Sequence, residues 1–166
     1  MIMSPGWRKF ALTVHLVFSV GWIGVVIAYL VLVIAAMTSQ DERLLRATWA
    51  SMQLIGQFAI VPLAFLAFLT GLIMALFTKW GLFRHYWVIF SLVLTLFAVI
   101  VLWQHFEPLQ YYAGLTAHHA SEVDEIAMIR AGLPSELLHA GVGLLVLLVV
   151  QVLNTYKPQG ETPWAR

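Results

Sequence analysis

Four long stretches without a charged side chain decide what this chain can become: residues 10–40, 47–78, 85–106 and 137–156. Each meets the ~20 residues an α-helix needs to cross the hydrocarbon core of a bilayer. In lipid every backbone N–H and C=O must find its partner inside the protein, and a lone span can do so only as a helix. Hydrophobic residues make up 61% of the chain and charged ones 10%, against roughly 45–50% and about 25% in a soluble domain. The sequence therefore predicts a single all-α domain, an integral membrane up-down four-helix bundle. Its helices are expected over about 8–38, 47–78, 84–106 and 135–156. The first run is about twice the ~7–15 residues of a signal-peptide core, so it reads as a retained first helix.

The absence of cysteine excludes disulfides, thiolate metal sites, iron–sulfur clusters and covalent c-type haem. No basic cluster points to nucleic acid. The cations themselves are unevenly placed. Arg8, Lys9, Lys79, Arg84, Lys157 and Arg166 fall at the end shared by both termini and the second loop, whereas the first and third loops hold Arg43, Arg46 and Arg130 among seven acids. This excess places both termini in the cytoplasm and the bundle in the cell membrane. In the long third loop, residues 118–131 read as a short amphipathic helix across the outer mouth, with Val123, Ile126 and Ile129 at helical spacing. Gly132-Leu133-Pro134 should end it, with Ser135 capping the fourth helix.

Within the first run, His15 and Trp22 stand seven residues apart, two helical turns, and so share one face. Ser19, Val26 and Tyr29 extend that stripe. Gly21, Gly24, Ala28 and Ala35 form a second stripe whose small residues suit close helix packing. The second run carries Pro62, which predicts a kink, and then Thr70 and Gly71. A histidine at membrane depth is a functional-site candidate by default.

The six histidines fall into two layers. His15 and His85 lie near the cytoplasmic side, on the first and third helices, which are diagonal partners in an up-down bundle. Such a pair is placed to ligate haem b from both sides. Arg84, Lys9 or Lys79 would then meet its propionates, and Trp22, Tyr29, Phe18 and Trp87 would pack its ring. His105, His118, His119 and His139 lie on the outer side among Glu107, Glu122, Asp124, Glu125 and Glu136. The three-residue spacings Glu136–His139 and His119–Glu122 put carboxylate and imidazole on one face, as a metal site requires. The structural alternatives are an interfacial His85 beside Trp80, Tyr86 and Trp87, a His15 hydrogen-bonded to a neighbouring helix, and solvated His118 and His119. His85 and His105, twenty residues apart, point to opposite sides of a straight helix. No acid is expected inside the membrane, which argues against a carboxylate proton relay.

The first-helix pattern His15, Trp22, Gly24 resembles that of a group of small bacterial membrane proteins. Ser19-Val20-Gly21-Trp22-Ile23-Gly24, Thr78-Lys79-Trp80-Gly81-Leu82-Phe83-Arg84-His85-Tyr86-Trp87-Val88 and Tyr156-Lys157-Pro158 look like an uncharacterised family of four-helix integral membrane proteins. The chain is more distantly similar to copper-resistance D-type membrane domains and to small membrane protoporphyrinogen oxidases. The oxidase likeness implies haem binding and porphyrin redox chemistry; the copper likeness implies copper handling. The family often has a lysine where this chain has Ser91, so a mechanism needing that lysine does not carry over.

The leading expectation is a membrane b-type cytochrome-like protein for electron transfer or haem/porphyrin handling, with a membrane redox partner. It assigns His15, His85, Trp22 and Arg84 to the cofactor, and His15, His85, His105 and His139 as candidate metal ligands. The alternatives are a copper-handling protein using the outer His/Glu cluster and a non-catalytic membrane partner subunit.

Overall fold

The computed structural model describes residues 3–117 and 123–165. Its elements are α1 (Pro5–Thr38), α2 (Glu42–Ile55), a π-helical turn (Gly56–Ile60), α3 (Val61–Phe77), α4 (Tyr86–Ala117) and α5 (Val123–Tyr156). Four spans result, Pro5–Thr38, Glu42–Phe77, Tyr86–Leu115 and Ile126–Tyr156, each long and apolar enough to cross a membrane. The chain is a multi-pass helical membrane protein.

Local chemistry sets the ends of the helices. Ser4, in an extended conformation, precedes Pro5, whose fixed φ suits a first helical turn. Between α1 and α2 the Asp41 carboxylate accepts from the Arg43 N–H at 2.9 Å, capping α2 and closing a tight helical hairpin. The break expected at Pro62 takes a definite form. Proline cannot donate to the preceding turn, and the helix widens just before it, with the Val61 N–H reaching back to the Gly56 carbonyl.

α1 packs against the second span and α5, while α4 packs against the second span and α5. α1 and α4 are thus diagonal, as are the second span and α5. Lipid tails offer no hydrophobic gain for pressing helices together, so shape and hydrogen bonds must hold them. The packing is uneven along the bundle. At the end of the two helical hairpin connections α1–α2 and α4–α5 (the loop end), Val33, Ala36, Leu45, Trp49, Met52 and Ile129 are wholly buried. There Trp49 and Tyr112 lie with ring centroids 5.0 Å apart, and Arg130 donates to the Ser39 carbonyl at 2.9 Å. At the termini end the buried hydrophobic cluster shrinks to Ala75, Trp87 and Val88.

The termini end is closed instead by backbone hydrogen bonds. Met3 N–H donates to the Phe77 carbonyl at 2.9 Å, and Thr162 N–H to the Arg84 carbonyl at 3.0 Å. His85 and Glu161 form an antiparallel bridge. Gly81 makes the turn between α3 and α4 with φ 65°, a conformation open to glycine, and an added Cβ would lie 3.0 Å from the Arg84 Cβ.

Three expectations need correcting. No helix break separates a loop helix from the fourth span: residues 123–131 are the first turns of α5, which runs straight through Pro134. Gly132 is there for packing rather than termination, since a Cβ would sit 2.9 Å from the Tyr112 ring. Residues 118–122, with His118, His119 and Glu122, lie outside the described set. The small-residue stripe of α1 is divided: Gly21 and Ala35 are half-buried, and a Cβ at Gly21 would meet the Leu63 side chain at 3.7 Å, whereas Gly24 and Ala28 are exposed. Finally, an acid does lie inside the bundle: Glu136 is 1% exposed.

Candidate functional site

The stripe His15, Trp22, Tyr29 runs down the inner face of α1 in steps of seven residues, roughly 10 Å each. It passes two cavities between the helices. One, of about 430 Å³, occupies the termini end; the other, of about 310 Å³, occupies the loop end. Trp22, 4% exposed, and Leu147, 6% exposed, line both and form the partition between them. Both volumes fall in the range of small-molecule sites.

In the first cavity His15 is held in one orientation. The Thr70 hydroxyl donates to the Leu66 carbonyl at 2.7 Å, so its oxygen accepts from His15 Nδ1–H at 3.0 Å. That leaves Nε2 with its lone pair free. Gly71 makes room for the ring: a Cβ there would stand 3.2 Å from His15 Cε1. Across the diagonal, α4 contributes Trp87, Ser91 and Thr95. Among the described residues, neither the buried Ser91 hydroxyl nor the buried Trp87 indole N–H has a hydrogen-bond partner. An orphaned buried polar group costs about 1–3 kcal/mol, and two of them line one cavity. The exposed cations Arg8, Lys9, Lys79 and Lys157 line its mouth. Lys79 and Lys157 place their ammonium groups 5.0 and 5.1 Å from the Trp80 ring.

In the second cavity the polar groups satisfy one another. Tyr29 O–H donates to Glu136 Oε2 at 2.5 Å, and His105 Nε2–H donates to Oε1 at 2.9 Å. Each Glu136 oxygen is thereby held by one neighbouring helix, Oε2 by α1 and Oε1 by α4. His139 stacks on His105 with centroids 4.1 Å apart, and its Nδ1–H donates to the Ser135 carbonyl at 2.8 Å.

The sequence-predicted residues are therefore divided. His15 and Trp22 do line one cavity. His85 does not face His15: it precedes α4, its Nδ1–H donates to the Trp80 carbonyl at 2.7 Å, and its ring lies behind Trp80. Ser91 occupies the diagonal place expected for it. Arg84 is exposed, lies outside the cavity lining and carries the backbone bond to Thr162. His105 and His139 are together, but their rings stack rather than aiming nitrogens at one point. Among the described residues no group of three or more His, Asp or Glu could hold a metal ion. Sequence reading missed Ser91 as a cavity group and Glu136 as a buried one. Tyr29, two further steps along the His15 stripe, was the available signal that a polar partner waited at that depth.

The fold and its cavities define a class: a four-span helical membrane protein with two ligand-sized chambers between its helices. No family model matches the chain, and neither a curated protein nor a solved structure shows significant similarity to it.

Proposed function

We propose that the chamber at the termini end binds haem b, with His15 as the protein's axial ligand, and that the protein serves haem or porphyrin handling. The observation that carries this reading is the fixed tautomer of His15, whose free Nε2 lines a ligand-sized chamber with a cationic mouth. The donor set fits the group. Imidazole nitrogen suits iron, Trp22, Phe68 and Trp87 offer aromatic wall for a flat ring, and Arg8, Lys9, Lys79 and Lys157 suit carboxylates. Haem, when bound, supplies one-electron redox chemistry tuned by its axial ligand and burial. The chain's own residues would hold the imidazole and anchor anionic groups at the mouth of the chamber.

His15 is the one histidine lining this chamber among the described residues. With His15 as the one histidine available to the group, Ser91 and Thr95 would line the chamber across from it, which suits handling of the porphyrin better than a doubly clamped electron carrier. The lysine and arginine excess sets the mouth of the chamber on the cytoplasmic side.

The test is a reduced-minus-oxidised spectrum of protein purified from haem-supplied cells. Wild type and His85→Ala should show a Soret band that sharpens on reduction, and His15→Ala should lose it. Absence of the band in wild type, or its full retention in His15→Ala, ends the proposal.

A further inference from the structure

We propose that the loop-end chamber is a second binding site, for a lipid-soluble aromatic alcohol of the quinol class that enters from the bilayer between α4 and α5. The route comes from exposure. Phe97 on α4 and Leu138 and Val142 on α5 line the chamber, yet are 58%, 64% and 54% exposed. Gly143 lies beside them, and an added Cβ there would meet nothing within 4 Å. The chamber is therefore slotted toward lipid, and its ligand must be soluble there.

The chemistry comes from what the polar groups still offer. A carboxyl group keeps accepting capacity beyond one bond to each oxygen. Glu136, almost wholly buried, receives one on each oxygen, from Tyr29 and His105. Those donors are spent on it, so Glu136 presents accepting capacity. His139 donates its Nδ1–H to Ser135, which leaves Nε2 as a second acceptor. A chamber whose unspent polar atoms are acceptors, on Glu136, His139 and the Nδ1 of His105, selects a neutral molecule carrying O–H groups on an apolar body. A quinone, which only accepts, lacks the donor that these positions ask for. A lipophilic cation would be drawn to Glu136 alone and would gain nothing specific from His139.

This site does not depend on haem, and the test separates the two. Calorimetric titration of the full chain in detergent with duroquinol, kept reduced under argon, should give saturable binding in wild type and in His15→Ala alike. Glu136→Gln should weaken it at least about tenfold, the effect of losing a charge-assisted hydrogen bond. His139→Ala should weaken it less. Gly143→Leu, which fills the slot without touching the Glu136 network, should abolish it. Oxidised duroquinone should bind at least about tenfold more weakly than the quinol. The proposal is overturned by no binding above the detergent blank, or by equal binding in wild type, Glu136→Gln and Gly143→Leu. Glu136-dependent binding of tetraphenylphosphonium in place of duroquinol would overturn it as well.

Discussion

The two halves of this bundle are built on opposite plans. The loop end is dense: Trp49, Leu45, Met52 and Ile129 are fully buried, and its buried Glu136 carboxyl is answered on both oxygens. The termini end is hollow, with its larger chamber and, among the described residues, two buried donors and a His15 Nε2 that have no hydrogen-bond partner. A polar group left unpaired in a low-dielectric interior is costly. The Trp49 indole N–H at the loop end is also buried without a partner among the described residues, but only the termini end lines a cavity with such groups. The contrast also explains why the helices need a backbone clasp at the termini end, where side-chain packing is thin.

Three substitutions would break or sharpen that contrast. The largest effect is expected at Gly71. Leucine there would push its Cβ to within 3.2 Å of His15 Cε1 and fill the space beside it, giving near-complete loss of haem retention in the Soret spectrum. Duroquinol binding at the other chamber should be unchanged. Next comes Glu136→Ala, which strips the acceptor from Tyr29 and His105. Leaving a buried donor unpaired costs about 1–3 kcal/mol, to be read as a lowered thermal midpoint in detergent, while haem retention per folded molecule should hold. A larger fall in haem binding than in stability would show that the halves are coupled. The smallest effect is at Ser91. Alanine removes a buried hydroxyl that has no partner among the described residues and should stabilise the haem-free protein by about 1 kcal/mol. If Ser91→Ala instead destabilises it, the hollow end is less unsatisfied than its geometry states.

How much of this was legible in the chain depends on the level. The four spans follow from the charge-free runs, because desolvating charge at bilayer depth is what those runs avoid. The helix lengths do not follow, since such runs mark hydrocarbon rather than helix. α2 begins at Glu42, where Asp41 caps it, and α4 continues past Glu107 to Ala117. Pro134 misleads for a related reason: a proline ends a helix only when nothing else holds the next turn in place. Here Glu136, two residues on, is fixed by Tyr29 and His105, and Leu133 is buried against the core. His15 and Trp22 could be picked out because a polar ring in lipid needs a reason. Ser91 could not, since a lone serine in an apolar helix usually bonds back to its own turn. Only the fold reveals that this hydroxyl lacks a partner among the described residues and that Ser91, not His85, lines the chamber with His15.

The chamber at the termini end draws its walls from His15 and Trp22 of the first span and from Leu147, Val150 and Gln151 of the last. A ribosome delivers these segments in order, so the chamber has no fourth wall until α5 is inserted. Lys157, at its mouth, follows later still. The chamber is thus completed late in biogenesis, and a translation-arrested chain holding only three spans would carry His15 into the membrane without it.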